Sequence, residues 1–529
     1  MNFSRIAYKH TGYFSGLIVD YIDQKESITP FISYEPSYKG LEQAIQNRSR
    51  FPIDRKLLVD HLKNQYHGFD LSTKTSNHIH ELLNENTFTI CTAHQPALFT
   101  GSLYLVYKVI HTIKLAASLN EKHPEKKFVP VFWMGSEDAD LDELGKCYLN
   151  GEKLVWKTPQ SGAVGKMNTK GIEQLIQRVS GELSVEPFGE ELIQILQSAY
   201  LNVPDFQTAT FKLLYELFDR FGLVILIPDT PILKKQMSAI FEDDLLNHHA
   251  KNVVEQTNER LSQHYKTQAY PREINLFYFK DNIRERIEQT GEDQWKVVNN
   301  NIVFDKSSLL KELHDFPERF SPNVILRGLY QETILPNIAY IGGGGETAYW
   351  LQLKDVFDFY KVPFPVLILR NSFLWISTKE NQWMNEIEIK NDDLFKKQQE
   401  VLNKCIQKKS PELFDFSNQL QSLESLKAAF KEKTNQVDST LSVHTEAIFS
   451  QFSKRIQILE EKMLKAERKK EVTLQHKISL LFNKLFPHNG LQERVDNFMP
   501  YYAKMGPAFI DDIYEASPLL DHEFTIIKK

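Results

Sequence analysis

The sequence predicts an α/β fold: a parallel-sheet core carrying inserted segments, followed by a long antiparallel helical coiled coil. Three observations predict it. Five short apolar or β-branched runs alternate with helical stretches, the pattern of crossover units. Those runs are unevenly spaced, with roughly 85 residues between the second and third and about 110 between the third and fourth, so the gaps hold insertions. From Lys379 to Leu485 glycine disappears, proline occurs only at Pro411, and apolar residues fall into heptad-like spacing.

The first run is Thr87 to Cys91, leading through Ala93-His94-Gln95-Pro96 into a helix expected from Leu98 to Leu119. Phe128 to Met134 is continuously apolar, as a strand covered on both faces should be. Leu223 to Ile227 ends in Pro228-Asp229 before a helix, and Ile338 to Ile341 runs into four glycines and a helix expected over Glu346 to Phe357. Val366 to Leu369 is the fifth. Residues 1 to about 85 read as mostly helical. The expected domains are a Rossmann-like core over 1–378 with insertions at about 145–220 and 265–325, a coiled-coil domain over 379–488, and a C-terminal segment, 489–529, packing back on the core. Pro411 and the Asp415–Ser417 stretch should divide the helical region into two long helices. Its seam runs through Phe416, Leu420, Leu423, Phe430, Val437, Leu441 and Ile448, and then shifts frame.

Composition narrows the function classes. The 529 residues are 25% charged and 42% hydrophobic with a net charge of −6, and no apolar run approaches the roughly 20 residues of a spanning helix. The start of the chain lacks the features of a signal peptide. Three scattered cysteines, Cys91, Cys147 and Cys405, argue against a disulfide framework and for a cytoplasmic protein. Between Lys454 and Lys470 there are seven basic and three acidic residues, read as a solvated coiled-coil face and not as a nucleic-acid surface. Neither a membrane nor a nucleic acid is an expected partner.

Three clusters stand at the carboxyl ends of the expected strands, where open parallel sheets bind ligands. The first is His94 to Gly101, with Gln95 and, in the following helix, Tyr104 and Lys108. His94 could face a phosphate or carboxylate or serve only as a hydrogen-bonding residue, and Lys108 could be a solvated charge. The second runs from Trp133 to Glu143, with five carboxylates in seven residues, enough to hold hydrated Mg²⁺, bind an amine or act as a base. Glu137 and Asp138 lie nearest the strand, whereas Asp142 and Glu143 read as charges on a helix face. The third, Arg327 to Gln352, contains Gly342, Gly343, Gly344 and Gly345 before Glu346, Tyr349 and Trp350. These glycines permit close approach and positive φ, leaving helix N–H groups for an anion, or they make a tight structural turn. Lys166-Met167-Asn168-Thr169-Lys170 looks like the lysine loop of class I aminoacyl-tRNA synthetases but falls too early in the sheet, and reads as coincidence.

In order along the chain, His94-Gln95-Pro96 with Thr100-Gly101, the PVFW…EDADLDE run around Glu137, Ile225 to Asp229, SPNVILRGLYQETILPNIAYIGGGGETAYWLQL, and a coiled coil followed by LQERV resemble the BshC family, cysteine-adding enzymes of bacillithiol biosynthesis. The resemblance covers nearly the whole chain. Ala139 stands where many relatives carry His, so it supplies no ligand or base, and Gly344 stands where proline is common. The resemblance implies a Rossmann-type core with connecting-peptide insertions and a coiled coil that makes a homodimer. It implies a ligase joining L-cysteine to the amine of glucosaminyl-malate through an activated carboxyl, with ATP or another adenine nucleotide as co-substrate, Mg²⁺ beside it, and no prosthetic group. On that reading His94, Glu137 and Asp138 are the catalytic candidates. Gln95, Gly101, Tyr104, Trp133, Gly342 to Gly345, Glu346 and Tyr349 would bind substrate or nucleotide, and Arg327 would pair with the malate carboxylates. The competing expectation is a non-catalytic nucleotide-binding scaffold or sensor acting through its coiled coil. An aminoacyl-transferring enzyme acting on RNA is a third.

Overall fold

The central sheet of the computed structural model, which describes residues 2–529, holds five strands: Thr87–His94, Lys127–Met134, Val224–Leu226, Asn337–Gly342 and Val366–Leu369. Their spatial order is third, second, first, fourth, fifth, and every adjacent pair is parallel. This is the strand order of a Rossmann-like sheet. Buried residues on the central strands alternate between the two faces, with Phe88, Ile90, Phe128, Ile338 and Ile341 all under 2% exposed. Burial on both faces explains why these segments are almost continuously apolar.

The insertions have structure that apolar runs did not reveal. Between the second and third strands lie the hairpin Lys146–Leu149/Glu152–Val155 and three helices, Ile172–Leu183, Gly189–Tyr200 and Phe206–Phe218. Asn150 and Gly151 turn the hairpin with φ of 49° and 89°, the left-handed pair a two-residue turn needs. Between the third and fourth strands stands a five-stranded antiparallel sheet that includes Leu276–Lys280, Ile283–Gly291 and Phe320–Pro322.

Several expected boundaries shift. Residues 98–101 form a tight turn, and the helix begins only at Tyr104, running to Lys122. The single helix expected over Glu346 to Phe357 is two, Gly344–Trp350 and Lys354–Tyr360. The mostly helical first 85 residues also hold a strand, Asn2–Ala7, beside Glu523–Lys528.

Internal contacts divide the chain into two units, Phe3–Leu374 with Gly490–Ile527, and Trp375–Asn489. The second unit contains the helices Ser417–Val437, Leu441–Lys470 and Val472–Leu485. The chain reverses at 438–440, where Asp438 Oδ1 accepts from the Thr440 N–H at 2.8 Å. The seam written through Val437 and Leu441 therefore belongs to two antiparallel helices, with Phe430 against Phe449 and Lys427 bridged to Glu446 at 2.7 Å. A heptad count cannot see that reversal, because the apolar spacing continues through it.

One buried ion pair fixes the fourth strand. Arg48 donates to Glu332 Oε2 at 2.6 Å and to the Glu332 and Pro363 carbonyls. Glu332 Oε1 accepts from Asn337 at the start of the strand, 2.7 Å away. Both charged side chains are at most 1% exposed. Removing one partner strands the other charge in the interior. Arg48→Met is expected to lower the unfolding free energy by about 3–5 kcal/mol, measured by urea denaturation at pH 7.

Candidate functional site

The first and fourth strands are neighbours whose crossovers lead to opposite sides of the sheet order, which makes the gap beyond their carboxyl ends the switch point. Ile341 lies opposite Thr92 in the register, so His94 and Gly343 leave the sheet side by side. A cavity of about 660 Å³ opens there, within the first unit. Its wall includes His94, Gln95, Tyr104, Trp133, Glu137 and Asp138 from the first two clusters. Arg327, Gly343, Gly344, Gly345, Glu346 and Tyr349 line it from the third. Gly101 and Gly342 are not on the wall. Gly101 closes the turn after the first strand with φ of 66°, and Gly342 ends the fourth strand.

His94 is held in one tautomer. Nδ1 lies 2.8 Å from the Gln95 carbonyl oxygen, which can only accept, so Nδ1 carries the hydrogen. Nε2 is then the acceptor for the Tyr104 hydroxyl at 3.0 Å. Burial, helped by the Lys108 charge, brings the imidazole down to about 4, and it is neutral near pH 7. Burial pushes Tyr104 up to about 12, so the phenol keeps its proton.

Each carboxylate meets a different environment. Glu137 accepts from Lys234 Nζ at 2.7 Å, and Lys234 has no exposed side-chain surface. Glu346 accepts from Lys108 at 2.5 Å, from Tyr340 at 2.7 Å and from the Gly343 N–H at 2.8 Å. Burial opposes its charge, but Lys108 and these donors hold it down at about 2. Lys108 is wholly buried and is not a solvated surface charge. Among the described residues Asp138 makes no salt bridge; Oδ2 accepts from the Gln95 amide at 3.0 Å, and its charge acts on Arg284 across the cavity wall. Asp140 caps the short helix Leu141–Leu144, Asp142 faces a separate cleft, and Glu143 reaches the cavity rim. The acidic run thus disperses, and among the described residues no group of three or more His, Cys, Asp or Glu side chains is arranged to hold a metal.

The glycine turn works through space and not through unusual dihedrals. None of residues 342–345 has positive φ, contrary to the expectation from four consecutive glycines. A Cβ on Gly342 would stand 3.0 Å from the Tyr340 ring and 3.3 Å from the Glu346 Cβ, whereas one on Gly345 would meet no atom within 4 Å. Open space at Gly345 belongs to the cavity.

Four lining arginines escaped the sequence reading: Arg272, Arg284, Arg370 and Arg494. Arg370 immediately follows the fifth strand, so strand-end logic could have found it. Arg284 comes from the antiparallel insertion and Arg272 from the loop before it, where no such logic applies. Arg327 donates to Tyr349 at 2.7 Å and keeps its place by that bond. Lys234, Lys108 and Glu493 neutralise Glu137, Glu346 and Arg370. What remains is Arg272, Arg284, Arg327 and Arg494 facing Asp138 and Glu143, an excess of two positive charges. None of the cysteines is a candidate nucleophile: all three are buried and unpaired, and burial pushes the Cys91 thiol well up.

A Rossmann-like sheet with an arginine-rich cavity at its switch point, joined to a helical hairpin, defines the chain as an α/β protein of two units. More particularly, the chain belongs to the BshC family of bacillithiol biosynthesis: residues 1–371 match the model of its N-terminal Rossmann-like domain and 373–529 that of its C-terminal coiled-coil domain. It is 40% identical over 526 residues to the "Putative cysteine ligase BshC" of Flavobacterium psychrophilum, covering 99% of both chains. Proteins of the same name from Flavobacterium johnsoniae and Cytophaga hutchinsonii are 37% and 35% identical; the matches cover 99% of both chains in the first case, and 97% of this chain and 96% of the relative in the second. Among the described residues no helix is long and apolar enough to cross a membrane.

Two outcomes follow from this geometry. Unfolded histidine titrates near 6.5, so between about pH 6.5 and 4 the unfolded state takes up the proton that His94 refuses, and stability falls with falling pH. His94→Gln should remove about 2 kcal/mol of the acid loss measured between pH 7 and 5 by chemical denaturation. For the glycines, Gly345→Ala should raise stability by up to about 1 kcal/mol, because the helix gains and nothing clashes. Gly342→Ala should lower it, and paired thermal melts read the opposite signs.

Proposed function

We propose that the chain is a ligase that adds L-cysteine to the amine of glucosaminyl-malate, forming the amide bond of bacillithiol from nucleotide-activated cysteine. The observation that carries this reading is the Asp138 carboxylate, which among the described residues has no salt bridge, facing an excess of arginine in one cavity. Glucosaminyl-malate carries an amine and two carboxylates, and the cavity offers complementary charges to both ends.

An amine and a carboxylate at neutral pH make a salt and not an amide, so the cysteine carboxyl must first acquire a leaving group. In the adenylate route the carboxylate oxygen attacks the α-phosphorus of ATP and pyrophosphate departs. The amine nitrogen then attacks the acyl carbon, AMP leaves with the bond electrons, and the nitrogen loses a proton. Asp138 is the residue to hold the substrate ammonium and take the proton whose loss frees the nitrogen lone pair for attack, because Glu137 is committed to Lys234. The second proton, lost after attack, leaves with the AMP phosphate or to solvent. Arg327, fixed by Tyr349, is a partner for a malyl carboxylate. Neutral His94 and protonated Tyr104 orient polar groups of the substrate. Gly345, where a Cβ would meet no atom within 4 Å, leaves room for sugar or nucleotide against the wall. Mg²⁺ would enter with the nucleotide phosphates, since the acidic run offers no protein-held set.

The helical hairpin supports self-association. Val437 is 80% exposed, Val443 76% and Phe452 55%, apolar side chains that a second copy would cover. A homodimer through this unit is the proposed assembly.

Purified protein incubated with cysteine, glucosaminyl-malate, ATP and Mg²⁺ should yield bacillithiol with AMP by mass spectrometry; no product with all components present counts against the reading. Asp138→Asn should lower kcat/KM by about 100-fold or more with the melting temperature kept. Glu137→Gln instead leaves Lys234 buried without its counter-ion and should cost about 3–5 kcal/mol of stability. Val443→Glu with Phe452→Glu should give a monomer by light scattering, whereas an unchanged mass would remove the hairpin from the interface.

A further inference from the structure

The segment Leu491–Asn497 reaches the cavity although in the chain it directly follows no strand of the central sheet. No role attaches to it from the order of the sheet. Its backbone is pinned on both sides of Arg494. Glu493 has no exposed side-chain surface and accepts from Arg370 at 2.7 Å, from the Ser372 hydroxyl at 3.1 Å and from the Phe373 N–H at 3.2 Å. Ser102 donates to the Arg494 carbonyl at 3.0 Å, and the Leu103 N–H donates to the Asp496 carbonyl at 2.7 Å. Asn497 is buried and donates to the carbonyls of Phe99 and Gly101, at 2.7 and 2.5 Å.

Those last two bonds close on the most unusual backbone in the site. Phe99, Thr100 and Gly101 are all left-handed, with φ of 48°, 67° and 66°. A non-glycine residue resists this conformation, and two in succession persist only where the surroundings enforce them. This turn joins the strand that ends at His94 to the helix that begins at Tyr104, so it sets the 3.0 Å contact between those side chains. Arg370, clamped by Glu493, lies over the Tyr104 ring at 5.2 Å.

Within this segment Glu493 and Asn497 turn inward and are saturated. Arg494 is the exception: it is exposed, lines the cavity and acts on Tyr104 through its charge, and among the described residues its side chain makes no hydrogen bond or ion pair. The pinned backbone fixes where the arginine side chain starts, at the mouth of the cavity beside Arg370 and Tyr104.

We infer that Arg494 is a binding residue of the cavity, taking an oxyanion of the ligand with its planar fork, and that Glu493 and Asn497 are the positioning residues that present it together with Arg370 and Tyr104. This deepens the ligase reading, in which two groups could supply the oxyanion: a malyl carboxylate or a nucleotide phosphate. The chemistry recognised is the same in both.

Isothermal titration of the full chain with glucosaminyl-malate, ATP and inorganic pyrophosphate separates them. Arg494→Gln is expected to weaken one of the first two by about 10- to 100-fold, and the probe that responds identifies the source. Arg494→Lys should recover only part of the loss, because it keeps the charge without the fork. Asn497→Ala should weaken the same probe with no change of charge. It should also shift the His94 imidazole titration followed by NMR, which a general loss of stability would not do below the melting temperature. Arg494→Gln binding all three probes as the parent does would overturn the assignment. Binding of pyrophosphate that needs Arg494, with none of glucosaminyl-malate, would sink the ligase reading and keep the residue's role. A parent that binds no probe removes both.

Discussion

Lys108 and Lys234 have no exposed side-chain surface, and each meets a carboxylate at the rim of the central sheet. Burying either ammonium without a counter-ion would cost several kcal/mol, and so would burying either carboxylate. Together they allow Glu346 and Glu137 to stand at the ends of apolar strands as fixed anions. Lys108 also donates to the Ala93 carbonyl at 2.6 Å, and Lys234 to the Phe320 carbonyl at 2.7 Å. Each pair therefore ties a strand end to a second element: the helix Tyr104–Lys122 in one case, the antiparallel insertion in the other. The shape of the cavity depends on these two neutralised pairs, because they hold its opposite sides.

The same pairs decide which charges a ligand meets. A carboxylate already matched by a buried lysine has little left to offer an incoming ammonium. Asp138, one residue from Glu137, keeps that capacity because its partner is the neutral Gln95 amide. Equally, Arg370 is matched by Glu493, and the field at the mouth comes from Arg272, Arg284, Arg327 and Arg494. Adjacent residues of one acidic run thus differ in chemistry through their partners and not through their type.

Much of the sheet was legible because its strands are covered on both faces and therefore read as apolar runs. The antiparallel insertion was not. Ile283–Gly291 is largely half-buried or exposed and carries Arg284, Glu285, Arg286 and Glu288, so no apolar alternation marks it. The Lys146–Val155 hairpin was missed as well, although Asn150-Gly151 is the turn signal that marks it. In the site, strand-end reasoning reached His94, Asp138 and Glu346 because parallel sheets bind ligands at that edge. It could not distinguish Lys108 or Lys234 from surface lysines. Their partners lie 238 and 97 residues away in the chain, and only the folded topology brings them together.

The fold explains why residues so distant must converge. A Rossmann-like sheet supplies an open edge at its switch point, with short strand ends and little wall. In this chain the wall is contributed by additions: Arg284 and Phe277 from the antiparallel insertion, Arg272 from the loop before it, and Arg494 from the segment that follows the helical unit. The acids closest to the sheet lie at strand ends, whereas most of the uncommitted cations come from the additions. A scaffold that fixes the anions and a surrounding wall that brings the cations has a physical consequence. The charges of the wall are carried by residues outside the sheet, so selectivity for an anionic ligand can change by substitution there without repacking the core. The continuity of the family match across the insertion and the return segment fits that division, since a sheet without them would keep the fold and lose most of the positive face of its cavity.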